Sequence, residues 1–265
     1  MKLAAIYNVF DGEENLQNSI NSIRDNVDLI IVIYQKISNF GIKHKKNIEE
    51  ILKKIQFINI IQEYDTNFYK LPWENEINKR VMGCKIALEN KCTHFLYMDC
   101  DENYDFQNFK EAKKQIENNV YDSSACEIVD YYKFKNLIIE DSISYVPFIH
   151  ELKKGITRFS LNLGYPVLVD NTRKCGPTEN FKLFKKEEIV MNHYSWIRDD
   201  IEQKLINWTG RHSFLNFINL ILEEYNNFKI TDKLVRLETG LLVPESLTKK
   251  IILPYNFKPV NTRII

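Results

Sequence analysis

Net charge is missing from this chain. Across 265 residues, 36 lysines and arginines balance 36 aspartates and glutamates, so no basic field exists to recruit nucleic acid. Also missing is any apolar stretch near the roughly 18 residues that a membrane-spanning helix needs. The segment Met1-Lys2-Leu3-Ala4-Ala5-Ile6 is too short in apolar length for a secretory leader, because Asn8 and Asp11 interrupt it. The five cysteines, Cys84, Cys92, Cys100, Cys126 and Cys175, are odd in number and lack metal-site spacing. They fit reduced thiols better than a disulfide framework. Repeats and low-complexity linkers are absent as well. These absences leave the expectation of a soluble, cytoplasmic globular protein, and an apolar fraction of 44% supplies its core.

What is present alternates between strand and helix. Leu3 to Val9 is a short apolar strand, and Asp11-Gly12-Glu13-Glu14 opens a helix with acidic residues in its first turn. Leu16, Ile20 and Ile23 follow at helical spacing. Val27 to Tyr34 is an apolar run suited to a strand covered on both faces. Lys45 to Lys54 suits a helix, Phe57 to Ile61 a third strand, Glu74 to Asn90 a longer helix and Phe95 to Met98 a fourth strand. This alternation predicts an α/β fold with a mostly parallel sheet. In such sheets ligands bind beyond the carboxyl ends of the strands, where Asn8, Gln35 and Asp99 lie. After a helix over Phe106 to Asn118, the runs Ser124 to Tyr132, Ser142 to Phe148 and Tyr165 to Val169 read as a mixed β extension. Glu187 to Met191 is a further strand that ends at Asn192-His193-Tyr194-Ser195, and helices over Asp199 to Trp208 and Ser213 to Tyr225 follow.

The fourth strand runs Thr93-His94-Phe95-Leu96-Tyr97-Met98 into Asp99-Cys100-Asp101-Glu102. In an extended segment alternate side chains share a face, so Asp99 and Asp101 would point the same way. Two such carboxylates repel each other unless a cation neutralises them, and Mg²⁺ or Mn²⁺ commonly shares its oxygen ligands between carboxylates and a substrate phosphate. The alternative is an acidic turn that only ends a strand.

Together with Ala5-Ile6-Tyr7-Asn8 and Glu14, with Asn78-Lys79-Arg80, Gly83 and Ala87, and with Asn192-His193-Tyr194-Ser195-Trp196-Ile197-Arg198, this motif resembles those of GT-A-fold glycosyltransferases, specifically bacterial family-2-like enzymes. The resemblance spans roughly residues 1 to 225. It implies one catalytic domain over 1–225, with a nucleotide-sugar half (1–104) and an acceptor half (105–225), and a C-terminal extension over 226–265. It also implies transfer of a hexose from a nucleotide diphosphate sugar, UDP-sugar favoured, to a hydroxyl of a glycan or lipid-linked glycan, in bacterial surface polysaccharide or lipooligosaccharide synthesis. Asp99, Asp101 and His193 would hold Mn²⁺ or Mg²⁺ against the diphosphate, where a Lewis acid stabilises the leaving charge. Arg198 would clamp phosphate oxygens bidentately. Tyr7, Asn8 and Gln35 would contact the nucleotide.

Arg80 borders a buried helix face, where a charge needs a partner such as phosphate or Asp99; Lys79 should face solvent. Gly83 would permit close approach of backbone or ligand. The chain departs from the resemblance at Tyr34-Gln35-Lys36, where many relatives carry paired aspartates, and this leaves the base open. Candidate general bases in the acceptor half are Asp130, Asp170 and Glu179. The basic and apolar tail Lys249 to Leu253 suits a packed final strand or contact with an anionic membrane surface. Two other classes remain in view. A sugar nucleotidyltransferase would open with a Gly-rich phosphate loop, whereas Tyr7 to Gly12 holds one glycine. A non-catalytic descendant would bind a glycan or a partner.

Overall fold

Every residue of Leu3–Val9 (β1) is buried, as its unbroken apolar run dictates for a strand with both faces covered. The computed structural model describes residues 1–140, 144–153, 158–238, 240–250 and 256–265. Around β1 the chain adds Glu13–Ile23 (α1), Leu29–Tyr34 (β2), Ile48–Leu52 (α2) and Ile60–Glu63 (β3). Pro72–Glu89 (α3), His94–Asp99 (β4), Glu102–Tyr104 (β5), Phe106–Asn119 (α4) and Ser123–Tyr132 (β6) follow. β3, β2, β1 and β4 form a parallel sheet in that order, and Ile149–Glu151 closes it antiparallel to β4. The mixed α/β architecture with a largely parallel sheet is as the strand–helix alternation predicts.

Period-2 alternation splits this sheet between two apolar layers. Leu3, Ala5, Tyr7 and Val9 pack with Leu16, Ile20 and Ile23 of α1 and Phe109, Ala112 and Ile116 of α4. Ala4 and Ile6 face the other way, with Phe95, Tyr97 and Cys84 and Ala87 of α3. Gly83 is what lets α3 lie so close: a Cβ there would sit 2.2 Å from Ile6 Cγ2. Its use is therefore helix-to-strand packing.

The chain divides into two compact units. One comprises residues 1–128 and 143–192, the other 129–142 and 193–265. This differs from the expected division at residue 225, because residues 193–265 build a core of their own with Tyr132, Leu137 and Ile139. That core holds Trp196, Leu205, Phe214, Tyr225 and Val235. In this second unit, Lys133 Nζ donates to the carbonyls of Tyr225, Asn226 and Phe228 at 2.7, 2.7 and 3.0 Å. It thereby satisfies the open end of the helix Ile218–Asn227. Leu234–Leu237 pairs antiparallel with Leu242–Pro244 and with Phe257–Val260. No helix among the described residues is long and apolar enough to cross a membrane.

Several element boundaries move. β3 starts three residues later than Phe57. Tyr165 to Val169 is no strand and holds only a bridge from Val169 to Tyr145. The expected strand from Ser142 starts at Tyr145 and continues, after Pro147, as Ile149–Glu151; Ser142 and Ile143 lie outside the described residues. The strand read as ending at Asn192 spans Val190–Trp196, so His193 is interior to it. Its run of polar residues, Asn192, His193 and Ser195, resembles a strand end in sequence. The tail's Lys249 and Lys250 end the helix Glu245–Lys250, while residues 251–253 lie outside the described residues.

His150, on the strand beside β4, is 1% exposed. Its ring stacks on Tyr165 at 5.9 Å, whose hydroxyl lies 2.8 Å from Nε2. Burial pushes its pKa down to about 3, so the native state stays neutral while an unfolded chain gains a proton below about 6.5. Stability is then fully present above 6.5 and is lost as pH falls toward 3, at about 1.4 kcal/mol per pH unit for this group. Urea titrations from pH 7 to 4 should show this slope in the wild type and a shallower one in His150→Gln. Equal slopes would remove His150 as the cause.

Candidate functional site

β1 and β4 end side by side, with Asn8 paired in register to Asp99. Both residues follow the alternation that places Ala4, Ile6, Phe95 and Tyr97 on the α3 side. Arg80 arrives from α3. It is 3% exposed, its guanidinium lies over Tyr97 at 5.1 Å, and Nη1 stands 3.9 Å from Asp99 Oδ1, too far for a hydrogen bond. Arg80 Nε and Nη1 and both amide atoms of Asn8 are buried without a hydrogen-bond partner. Buried polar atoms are rarely left so.

The acidic motif is occupied from within the chain. β4 stops at Asp99, and Cys100 and Asp101 turn, so alternation no longer aligns Asp101 with Asp99. Asp101 is 2% exposed, whereas the Asp99 side chain is 37% exposed. Arg173 Nη2 donates to Asp99 Oδ2 at 2.5 Å and also to Glu102 Oε1, while Nη1 donates to Glu102 Oε2 at 3.2 Å. Glu102 Oε2 in turn accepts from the Asp99 backbone N–H at 3.0 Å. Burial works against the charge on Asp99, but Arg173 and then Arg80 outweigh it and hold its carboxyl below the usual range. Burial likewise works against the charge of Arg173, and Asp99 and Glu102 reverse that, keeping it firmly protonated.

Arg173 ends the 3-10 turn Asn171–Arg173, which packs against α3. Asp170, an expected base, caps that turn: its Oδ1 accepts from the Thr172 N–H and hydroxyl at 2.8 and 3.0 Å. It shapes the loop that delivers Arg173. Sequence reading missed Arg173, because the pairing spans 71 to 74 positions and no local pattern announces it.

Other expected contacts fall elsewhere. Tyr7 is fully buried on the α1 side, its hydroxyl 3.0 Å from Ser19 Oγ, so it cannot reach a ligand at the edge. Gln35 is 1% exposed and its amide is used up. It donates to Asn39 and Thr66 at 2.9 and 2.8 Å and accepts from Lys79 Nζ at 2.6 Å. Lys79, expected in solvent, is therefore a buried strut, paired also with Glu76 at 2.9 Å. Glu179 is exposed and precedes Asn180, whose N–H bonds Asp122 at 2.9 Å. The Asp122 carbonyl accepts from Glu151, the partner of His94. That chain of contacts puts Glu179 near the amino end of β4, opposite Asp99, which removes it as a base for chemistry there.

His193 and Arg198 belong to the second unit. His193 Nδ1 donates to Asp130 Oδ1 at 2.8 Å, and Arg236 Nη2 faces Asp130 Oδ2 at 3.5 Å. Asp130 is thus an ion-pair partner rather than an open base. Arg198 Nε donates to the Ser195 carbonyl at 3.4 Å. Among the described residues no group of three or more His, Cys, Asp or Glu is placed to hold a metal ion. The donors present do not fit a resident divalent cation, because Asp99 is held by Arg173, Asp101 is buried in the turn and His193 is bound to Asp130.

The chain matches no protein-family profile and no curated protein. Among solved structures it is similar to Staphylococcus aureus TarS residues 1–349. The identity is 13%, covering 81% of this chain and 66% of that one, with a TM-score of 0.47. It is also similar to GalNAc-T7 crystallised with UDP, GalNAc and Mn²⁺, at 12% identity over 88% of this chain and 52% of that one, with a TM-score of 0.43. The chain therefore spans only part of the length of each.

Proposed function

We infer that the protein is a nucleotide-sugar-dependent glycosyltransferase whose donor diphosphate binds at the carboxyl edge of β1 and β4. The observation that carries this reading is the set of four buried polar atoms on Asn8 and Arg80 that have no hydrogen-bond partner, Arg80 being ion-paired to Asp99 at the same strand end. A guanidinium matches phosphate oxygens in geometry and charge, and crevices at this edge of a parallel sheet are where such sheets take ligands. In the reaction the anomeric C–O bond to the β-phosphate breaks and its electron pair leaves with the diphosphate. An acceptor hydroxyl oxygen forms the new bond to the anomeric carbon, and its proton passes to the departing diphosphate. Arg80 meets the charge that builds on the leaving group. A hexose moved to a glycan hydroxyl in surface polysaccharide synthesis, with a UDP-sugar as donor, is the specific form we favour.

The test is a thermal-shift series with UDP, GDP, CDP and their common sugars. A ligand that binds only the native state adds about 2.7 kcal/mol when present at 100 times its Kd, so one nucleotide should raise Tm clearly above the others. A flat series across all of them would sink the transferase reading and leave a glycan-binding or partner-binding module in front.

A further inference from the structure

We propose that Arg173 is the resident cation of the acidic edge: its guanidinium, in place of a divalent metal ion, neutralises Asp99 beside Asn8 and Arg80. The motif Asp99-Cys100-Asp101 then serves as an internal counter-ion, and metal affinity there is suppressed by the chain itself.

Three observations carry this. The first is position. A hard divalent cation takes a carboxylate oxygen at roughly 2.0–2.6 Å, and Arg173 Nη2 already holds Asp99 Oδ2 at 2.5 Å. Arg80 stands 3.9 Å from the other oxygen, so a dication would enter between two guanidinium groups. The second is the cost of exchange. Arg173 also holds both oxygens of Glu102, which is 1% exposed. Moving the guanidinium aside for a metal would strand Glu102 as a buried carboxylate. The third is rigidity of delivery. Arg173 is 4% exposed and ends a turn that Asp170 caps. Glu102 is fixed on its side by the Asp99 N–H and by Ser19 Oγ, which donates to its carbonyl at 2.5 Å. This is a built pair and not a surface arginine that happens to swing inward.

For the diphosphate, the consequence rests on the nucleotide-sugar reading: binding should need no divalent ion, because the positive charge at the edge is covalently attached. Metal binding itself can be read without any nucleotide.

The experiment is a Mn²⁺ titration followed by the electron paramagnetic resonance of the free aqueous ion. It compares wild type, Asp99→Asn, and the double variant Arg173→Gln with Glu102→Gln. The double variant removes the buried pair together, so no charge is stranded, and circular dichroism checks its fold. Wild type should leave the free-ion signal at its buffer intensity. The double variant should diminish it, and adding Asp99→Asn should restore it. Quenching by wild type that Asp99→Asn abolishes would overturn the proposal, as would a folded double variant that binds no more Mn²⁺ than wild type. If the double variant does not fold, the comparison of wild type with Asp99→Asn decides alone.

A second arm measures UDP and GDP binding calorimetrically in EDTA and in Mn²⁺. Equal affinity in the two buffers is expected, and binding confined to Mn²⁺ would overturn the proposal. Absence of nucleotide binding in either buffer would count against the transferase reading, while the Mn²⁺ titration would still judge Arg173.

Discussion

Arg173→Gln is expected to destabilise the protein by about 3–5 kcal/mol, the cost of leaving a buried charge without its partner. Glu102 is that charge. It is 1% exposed, and both of its oxygens face Arg173. Asp99 adds less, because its side chain is 37% exposed and water can replace part of what it loses. Glu102→Gln in the same chain should recover much of the loss, since two neutral amides of similar volume carry no buried charge. The coupling between the two substitutions, read from urea unfolding as a double-mutant cycle, should exceed 1 kcal/mol in magnitude, within the range of about 0.5–3 kcal/mol found for residues in direct contact. Additive effects would show that the pair does not act as a unit.

Arg80→Met should lower affinity for the preferred nucleoside diphosphate by about 10- to 100-fold. A hydrogen bond to a charged group contributes about 1.5–3 kcal/mol, and each 1.4 kcal/mol is about tenfold in Kd. Methionine keeps an unbranched stem over Tyr97, so the change isolates the guanidinium, whose Nε and Nη1 have no hydrogen-bond partner. Isothermal titration calorimetry of both proteins measures it directly. Unchanged affinity would mean that the diphosphate lies elsewhere and that the orphaned atoms on Arg80 have another purpose.

The positions of Asn8, Arg80 and Asp99 at the sheet edge and on the buried helix face are legible in the chain because each is signposted locally. Asn8 and Asp99 terminate apolar runs, and Arg80 interrupts a buried helical stripe. Tyr7 was not legible: it adjoins Asn8 in sequence, but alternation turns it to the opposite layer, under α1. Gln35 also sits at a strand's carboxyl end, yet Lys79, Asn39 and Thr66 consume its amide, and none of the three is implied by neighbours in the chain. His193 resembles a strand end in sequence yet lies inside Val190–Trp196, since polar residues look alike whether a strand stops or continues along a surface.

By itself, then, the sequence determined the alternation of strand and helix, the parallel sheet, and the sheet edge at which Asn8 and Asp99 end. Those features depend on periodicity and on short-range apolar runs, which any window of the chain displays. What only the tertiary structure decided is which cation sits on Asp99. That answer comes from a turn more than 70 positions away, and its strength arises from the burial of Glu102, which raises the cost of leaving that carboxylate unpaired until one arginine, held by a capped turn, is required beside it.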